Sequence, residues 1–214
     1  MRFLSGESPA VKICGITTPE DARMCRDAGA AALGFNFFPG SKRFIDPEAS
    51  FGWIRALGGG ADRVAVVVNP DEGLVARLAA AGCFEAIQFH GDEPPEFCVA
   101  AGFPHWIKAI RVRSEASLAA ALDFPASALL LDAWSSAAYG GTGHRLDWEL
   151  AGAFLKAHPD RRCVLAGGLS AANVRLAVQT VRPAGVDVAS GVESAPGKKD
   201  PGLVREFVRQ AQEG

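Results

Sequence analysis

The chain has 214 residues, 49% hydrophobic and 21% charged, enough to bury the core of one domain. A formal charge of -2 argues against a nucleic-acid or anionic-membrane partner, and no apolar run approaches the ~20 residues of a membrane span. Five cysteines (Cys14, Cys25, Cys83, Cys98, Cys163) form no C-x-x-C pair, and four histidines show no metal-ligand spacing, so reduced thiols, a cytoplasmic location and no metal are expected.

The start, Met1 to Glu7, carries one basic residue but no apolar core of signal-peptide length. Residues 1–10 read as an N-terminal extension and 11–214 as the folded domain. Val11-Lys12-Ile13-Cys14 reads as a strand, with Val11 and Ile13 on one side and Lys12 and Cys14 on the other. Gly15 lets the chain turn, Thr18 is a candidate N-cap, and Pro19 with Glu20 and Asp21 makes a first helical turn. Strand 2 is Ala32 to Phe37, and the loop Pro39 to Arg43 leads to a helix from Pro47 behind Asp46. Arg63 to Val68 is a β-branched strand, and the helix from Asp71 to Ala81 stops at Gly82.

The unit then repeats. Strands are expected at Ala86 to His90, Trp106 to Val112, Ala128 to Leu131, Cys163 to Ala166 and Val186 to Ala189. Helices follow from Pro94-Pro95 to Gly102, from Ser114 through Leu122, from Asp147 to Ala157, from Ser170 through Val181, and from Pro201 to Gln212. Eight strands alternating with eight helices, in units of about 25 residues without a linker, predict an α/β fold: a single (β/α)8 TIM barrel. An open dinucleotide-binding sheet would want G-x-G-x-x-G after the first strand, and Gly15-Ile16-Thr17 is not that.

In such a barrel the chemistry sits at the C-terminal ends of the strands. Those ends carry Cys14, Asn36, Asn69, His90, Arg111, Asp132, Gly167-Gly168 and Ser190-Gly191. The two glycine-bearing ends, after strands 7 and 8, are where these barrels hold a phosphate, with Gly141 and Gly143 of the preceding loop able to fold in. Tight turns alone would also use glycine, but two clusters on adjacent strands favour an anion. Asp132 follows four apolar residues, and a carboxyl emerging from an apolar wall suits a general acid. A thiol on strand 1 and a carboxyl on strand 6 could take a proton from one side of a substrate and give one to the other.

The ordered set Val11 to Thr17, Phe38 to Arg43, Gln88-Phe89-His90-Gly91, Leu131-Asp132, Gly140 to Gly143, Ala166 to Leu169, Gly185 to Glu193 and Pro196 to Asp200 resembles phosphoribosylanthranilate isomerase from Val11 onward. Two departures are the roughly ten-residue N-terminal extension and Leu146, where an aromatic residue is more usual. The resemblance implies an Amadori rearrangement in tryptophan synthesis, with no cofactor and a small phosphosugar as the partner. Asp132 would be the general acid, Cys14 the general base and Arg43 the clamp for the anthranilate carboxylate. His90 would lie near the site without a catalytic role. A cysteine base needs a lowered pKa, and the sequence does not say whether Lys12 supplies it. Monomer and homodimer both stay open. So do two other functions: the related isomerase of histidine synthesis, expected to place an aspartate where Cys14 stands, and a barrel that binds a phosphorylated ligand without turnover.

Overall fold

A computed structural model describes Phe3, Ser5, residues 9–133 and residues 147–214. Gly141 and Gly143, with the rest of their loop, lie outside the described residues. Strands β1 (Ala10–Cys14), β2 (Ala32–Asn36), β3 (Asp62–Val67), β4 (Ala86–Phe89), β5 (Trp106–Val112), β6 (Ala128–Ala133), β7 (Cys163–Leu165) and β8 (Gly185–Val188) form a closed parallel ring in chain order. The ring closes where β8 pairs with β1, with Val11 opposite Val186 and Lys12 opposite Asp187. Helices α1 (Pro19–Asp27), α2 (Pro47–Ala56), α3 (Glu72–Ala81), α4 (Pro95–Ala100), α5 (Glu115–Ala121), α6 (Trp148–Ala157), α7 (Val174–Val181) and α8 (Pro201–Gln212) follow the strands in turn. The molecule is the (β/α)8 barrel that the alternation predicts.

Several helices begin for reasons visible in the sequence. Thr18, Asp46 and Asp200 each precede a proline whose missing N–H would have been unpaired in any case. Their side chains accept from Asp21 N, from Ala49 N, and from Gly202 and Leu203 N, a cap worth about 1 kcal/mol each. The helix read from Ser170 begins instead at Val174. Asn173 turns its side chain back on the loop, accepting from Ser170 N at 2.8 Å and donating to Gly168 O at 2.9 Å. Ser170 is thereby a loop residue rather than a cap. After β8 the chain makes a 3-10 turn over Ser190–Val192, then a small antiparallel hairpin of β9 (Glu193–Ala195) and β10 (Lys198–Lys199).

Alternation along the strands divides the apolar residues between two cores. One set, including Ile13, Leu33, Phe35, Ile87, Phe89 and Leu131, packs under the helices. The other fills the ring, and its narrow bore is matched by small and β-branched residues such as Ala32, Val64, Val66, Ala86, Ala109 and Val164.

Phe3 belongs to this inner set. It is fully buried, its N–H donates to Asp62 Oδ2 at 2.8 Å, and its ring lies 3.1 Å from where a Cβ on Gly185 would be. Asp62 and Gly185 open β3 and β8, so Phe3 closes the floor of the barrel. Removing a fully buried phenylalanine ring costs about 3–5 kcal/mol. Phe3→Ala is therefore expected to lower the midpoint of thermal unfolding by roughly 6–20 °C. A fall of less than about 2 °C would show that the floor does not depend on this ring.

Candidate active site

Inward positions at the C-terminal end of the ring follow from the same alternation. On β1, Ala10 and Cys14 lie against the inner set, so Lys12 between them also points in. On β4 and β6 the matching positions are Gln88 with His90 and Leu130 with Asp132. The ring therefore turns Cys14, His90 and Asp132 toward one mouth.

Asp132 is nearly buried, and both of its oxygens have partners. Oδ1 accepts from Ala133 N at 2.8 Å, and Oδ2 lies 3.2 Å from His90 Nε2. Gln88 Nε2 stands 2.8 Å from His90 Nδ1. With the amide donating to Nδ1, the imidazole carries its proton on Nε2 and donates it to Asp132. Gln88 Oε1 is buried without a hydrogen-bond partner among the described residues. Gly167 supports the acid from the next strand end: its φ is +84°, and a Cβ there would lie 2.9 Å from Asp132 Oδ1.

Cys14 is the least buried of the five cysteines. Packing around it pushes the thiol pKa up, Lys12 and Lys199 pull it down, Asp187 pushes it up, and the balance lies above the ordinary value. Lys12 is fully buried, with Nζ 2.8 Å from Asp187 Oδ1 on the neighbouring strand. Burial alone would lower its pKa; Asp187 and Cys14 outweigh that and hold it above the usual lysine value.

Arg43 arrives from the loop after β2. Asn36 shapes that loop by accepting from Phe38 N and donating to Ser41 Oγ, and Ile45 N–H returns to Asn36 O at 3.0 Å. The Arg43 stem runs across Gly15, where any Cβ would overlap it and φ is +76°. Its guanidinium meets Glu193 through Nε at 2.8 Å and Nη2 at 2.6 Å. Lys199 Nζ donates to the same carboxylate at 2.7 Å, to Cys14 O at 2.6 Å and to Ala189 O at 3.2 Å. All three of its protons are thus used, which is what a buried ammonium requires. Burial raises the Glu193 pKa, but these hydrogen bonds outweigh it and hold the carboxyl below its usual range.

Gly191 is where the last two loops touch, since a Cβ there would overlap the Leu169 carbonyl oxygen. Gly168, with φ of +67°, is held by Asn173, and Ser190 begins the 3-10 turn. The ends of β7 and β8 therefore meet at one edge of the mouth. Two polar strand ends do other work. Asn69 braces the loop after β4 through Asp92 N and Glu93, and Arg111 pairs with Asp92. Lys12, Asp187, Glu193, Lys199 and Gln88 were given no role from the sequence. For Lys12 a signal existed, since two-residue alternation placed it on the same side as Cys14.

The model of the N-(5'-phosphoribosyl)anthranilate (PRA) isomerase family matches residues 11–210. The enzyme of that name from Pelobacter propionicus is 48% identical over 205 residues, covering 95% of each chain. The chain belongs to this family. Among solved structures, phosphoribosyl anthranilate isomerase from Thermotoga maritima shares 39% identity with a TM-score of 0.85, over 95% of this chain and 98% of that one. A phosphoribosyl anthranilate isomerase in complex with reduced 1-(o-carboxyphenylamino)-1-deoxyribulose 5-phosphate aligns with a TM-score of 0.81 at 38% identity, with the same coverage. As a member of the PRA isomerase family the chain is an isomerase, and Cys14, Arg43, His90, Asp132 and the glycines after β7 and β8 all fall within the matched residues.

Proposed function

We propose that the chain converts N-(5'-phosphoribosyl)anthranilate to 1-(2-carboxyphenylamino)-1-deoxyribulose 5-phosphate in tryptophan biosynthesis, with Asp132 as general acid and Cys14 as general base. The observation that carries this is that Cys14 and Asp132 occupy inward positions at the mouth of one closed ring, three strands apart by way of β8 and β7. An aldose-to-ketose shift needs one acid, one base and no redox partner. Asp132 protonates the furanose ring oxygen, and the C1'–O bond opens to a Schiff base. Cys14 as thiolate takes the proton from C2', leaving an enolamine. The enolamine tautomerises to the ketone as C1' gains a proton and the C2' hydroxyl loses one; the proton given by Asp132 balances the one taken by Cys14, so the formula is unchanged. A cysteine at the end of β1 is also what separates this assignment from the histidine-pathway isomerase.

The phosphate is assigned to the edge where the loops after β7 and β8 meet, with Gly167, Gly168, Ser190 and Gly191 allowing close backbone approach. Gly141 and Gly143 keep the place given them by sequence, outside the described residues. His90 is a substrate-side neighbour of Asp132. The carboxylate of the anthranilate ring is assigned to Arg43. Glu193 occupies the guanidinium's Nε–Nη2 edge and, among the described residues, leaves the Nη1–Nη2 end, which presents two parallel N–H groups.

The direct test is loss of the substrate's fluorescence when purified protein meets freshly prepared N-(5'-phosphoribosyl)anthranilate. Absence of turnover by folded protein would overturn the assignment. Arg43→Ala tests the clamp. A lost charge-assisted hydrogen bond of about 1.5–3 kcal/mol predicts a KM higher by roughly 10- to 150-fold. Inhibition by inorganic phosphate, which has no carboxylate, should stay unchanged. Equal weakening of both ligands would place Arg43 at the phosphate instead.

A further inference from the structure

The pair of buried charges beneath Cys14 has no part in the chemistry above. Lys12 is 0% exposed and Asp187 8%, in a bore whose other described inner residues are mostly aliphatic, with Phe3 at its floor and Gln88 on β4. Buried ion pairs often contribute less stability than apolar residues of the same volume, because desolvating two ions costs several kcal/mol each. Stability alone is therefore a poor reason to place them here.

A second observation points to what they serve. Gly34 stands opposite Cys14 on β2, and its backbone is ordinary strand, so no left-handed φ calls for glycine. A Cβ on Gly34 would lie 2.9 Å from Cys14 Sγ and 3.1 Å from Lys12 Nζ. The missing side chain leaves the room in which sulfur and ammonium converge. They lie within about 6 Å of each other, the range over which an opposite charge shifts an ionisation.

We propose that Lys12 and Asp187 are a positioning pair for Cys14: Lys12 is the counter-charge of the thiolate, and Asp187 fixes that ammonium and limits how much of its field reaches the sulfur. The inference rests on the assignment of Cys14 as base. Lys12 exchanges no proton with substrate; the C2' proton goes to sulfur, and Lys12 stays charged throughout. The other charges around Cys14 are Lys199 of β10, already spent on three acceptors, and Arg43 after β2, paired with Glu193. Lys12 is thus the cation on the thiol's own strand whose single carboxylate partner can be removed without disturbing the carboxylate clamp.

The pair has opposite expected signs, which makes it testable by the pH dependence of Cys14 alkylation with iodoacetamide. The rate is read from the mass of the Cys14 peptide. The other four thiols are 0–1% exposed, and burial pushes Cys25 and Cys163 to about 12 and Cys98 to about 11, so the folded protein reports Cys14. Lys12→Met is expected to raise the alkylation midpoint by about one pH unit or more, and Asp187→Asn to lower it. In both, the acid limb of kcat/KM should move with the midpoint. Midpoints that stay put, or that move in the same direction, overturn the proposal, since a pair serving only the fold has no reason to give opposite signs. Should Lys12→Met not fold because Asp187 is left unpaired, Lys12→Met/Asp187→Leu removes both charges. Its midpoint is expected above that of the parent, and a value at or below the parent's is equally fatal. The two assignments fail separately. Unmoved midpoints with an inactive Cys14→Ala remove the pair and leave the base, whereas opposed midpoints with an active Cys14→Ala remove the base and leave the pair.

Discussion

Cys14→Ala is expected to give a folded barrel whose turnover is lower by about 10²–10⁴, the usual scale for loss of a general base. The substitution removes one sulfur from a partly exposed position, so thermal unfolding should change little, and the loss will lie in kcat rather than in folding. Cys14→Ser is the sharper comparison. It keeps the shape and a hydrogen-bonding atom, but a serine hydroxyl beside Lys12 does not ionise near neutral pH. The same loss is expected, measured from progress curves of substrate fluorescence. Near-normal turnover in either variant would mean that another group takes the C2' proton.

Asp132→Asn should reduce turnover by a similar factor while leaving the affinity for a product analogue almost unchanged. The amide oxygen can keep the bond from Ala133 N. The new NH2 then faces His90 Nε2, which has to become an acceptor. That is possible because the imidazole can move its proton to Nδ1 if Gln88 turns its amide, giving the unpartnered Oε1 a donor. The site thus accommodates the asparagine and lacks only the transferable proton. An asparagine variant that turns over normally but has lost affinity for the analogue would make Asp132 a binding group.

Legibility from sequence followed the range of the interactions. Thr18-Pro19, Asp46-Pro47 and Asp200-Pro201 announce their helices because a cap and the N–H that donates to it lie within three residues. Cys14 and Asp132 were legible as strand ends because period-2 alternation is local. Ser170 misleads because the Asn173 side chain, three residues on, accepts from Ser170 N–H and donates to Gly168 O, which holds the segment as a loop. The hairpin β9–β10 is built of three- and two-residue strands, too short to show any period. The partners of Lys12 and Arg43 were invisible for a different reason. Asp187 lies 175 positions from Lys12, and Glu193 lies 150 from Arg43, so only the register of the closed ring reveals them. Gly191, read as a site for an anion, also has a packing duty against Leu169 that no local pattern announces.

The seam between β1 and β8 has a consequence for how activity is acquired. Lys12 to Asp187, Lys199 to Cys14 O and Thr17 to Gly197 O all cross it, joining residues 175 to 185 positions apart. Contacts of such separation carry the largest loop-closure entropy and form late. An open eight-stranded sheet would hold nearly all the final secondary structure and the acid on β6, yet Lys12 beside its thiol would lack Asp187, and the Cys14 carbonyl would lack Lys199. Competence is therefore a property of the circle rather than of any arc. Half-barrels that end before β8 leave Lys12 without its carboxylate, whereas circular permutation, by linking the two ends of the chain, would make these same contacts short-range.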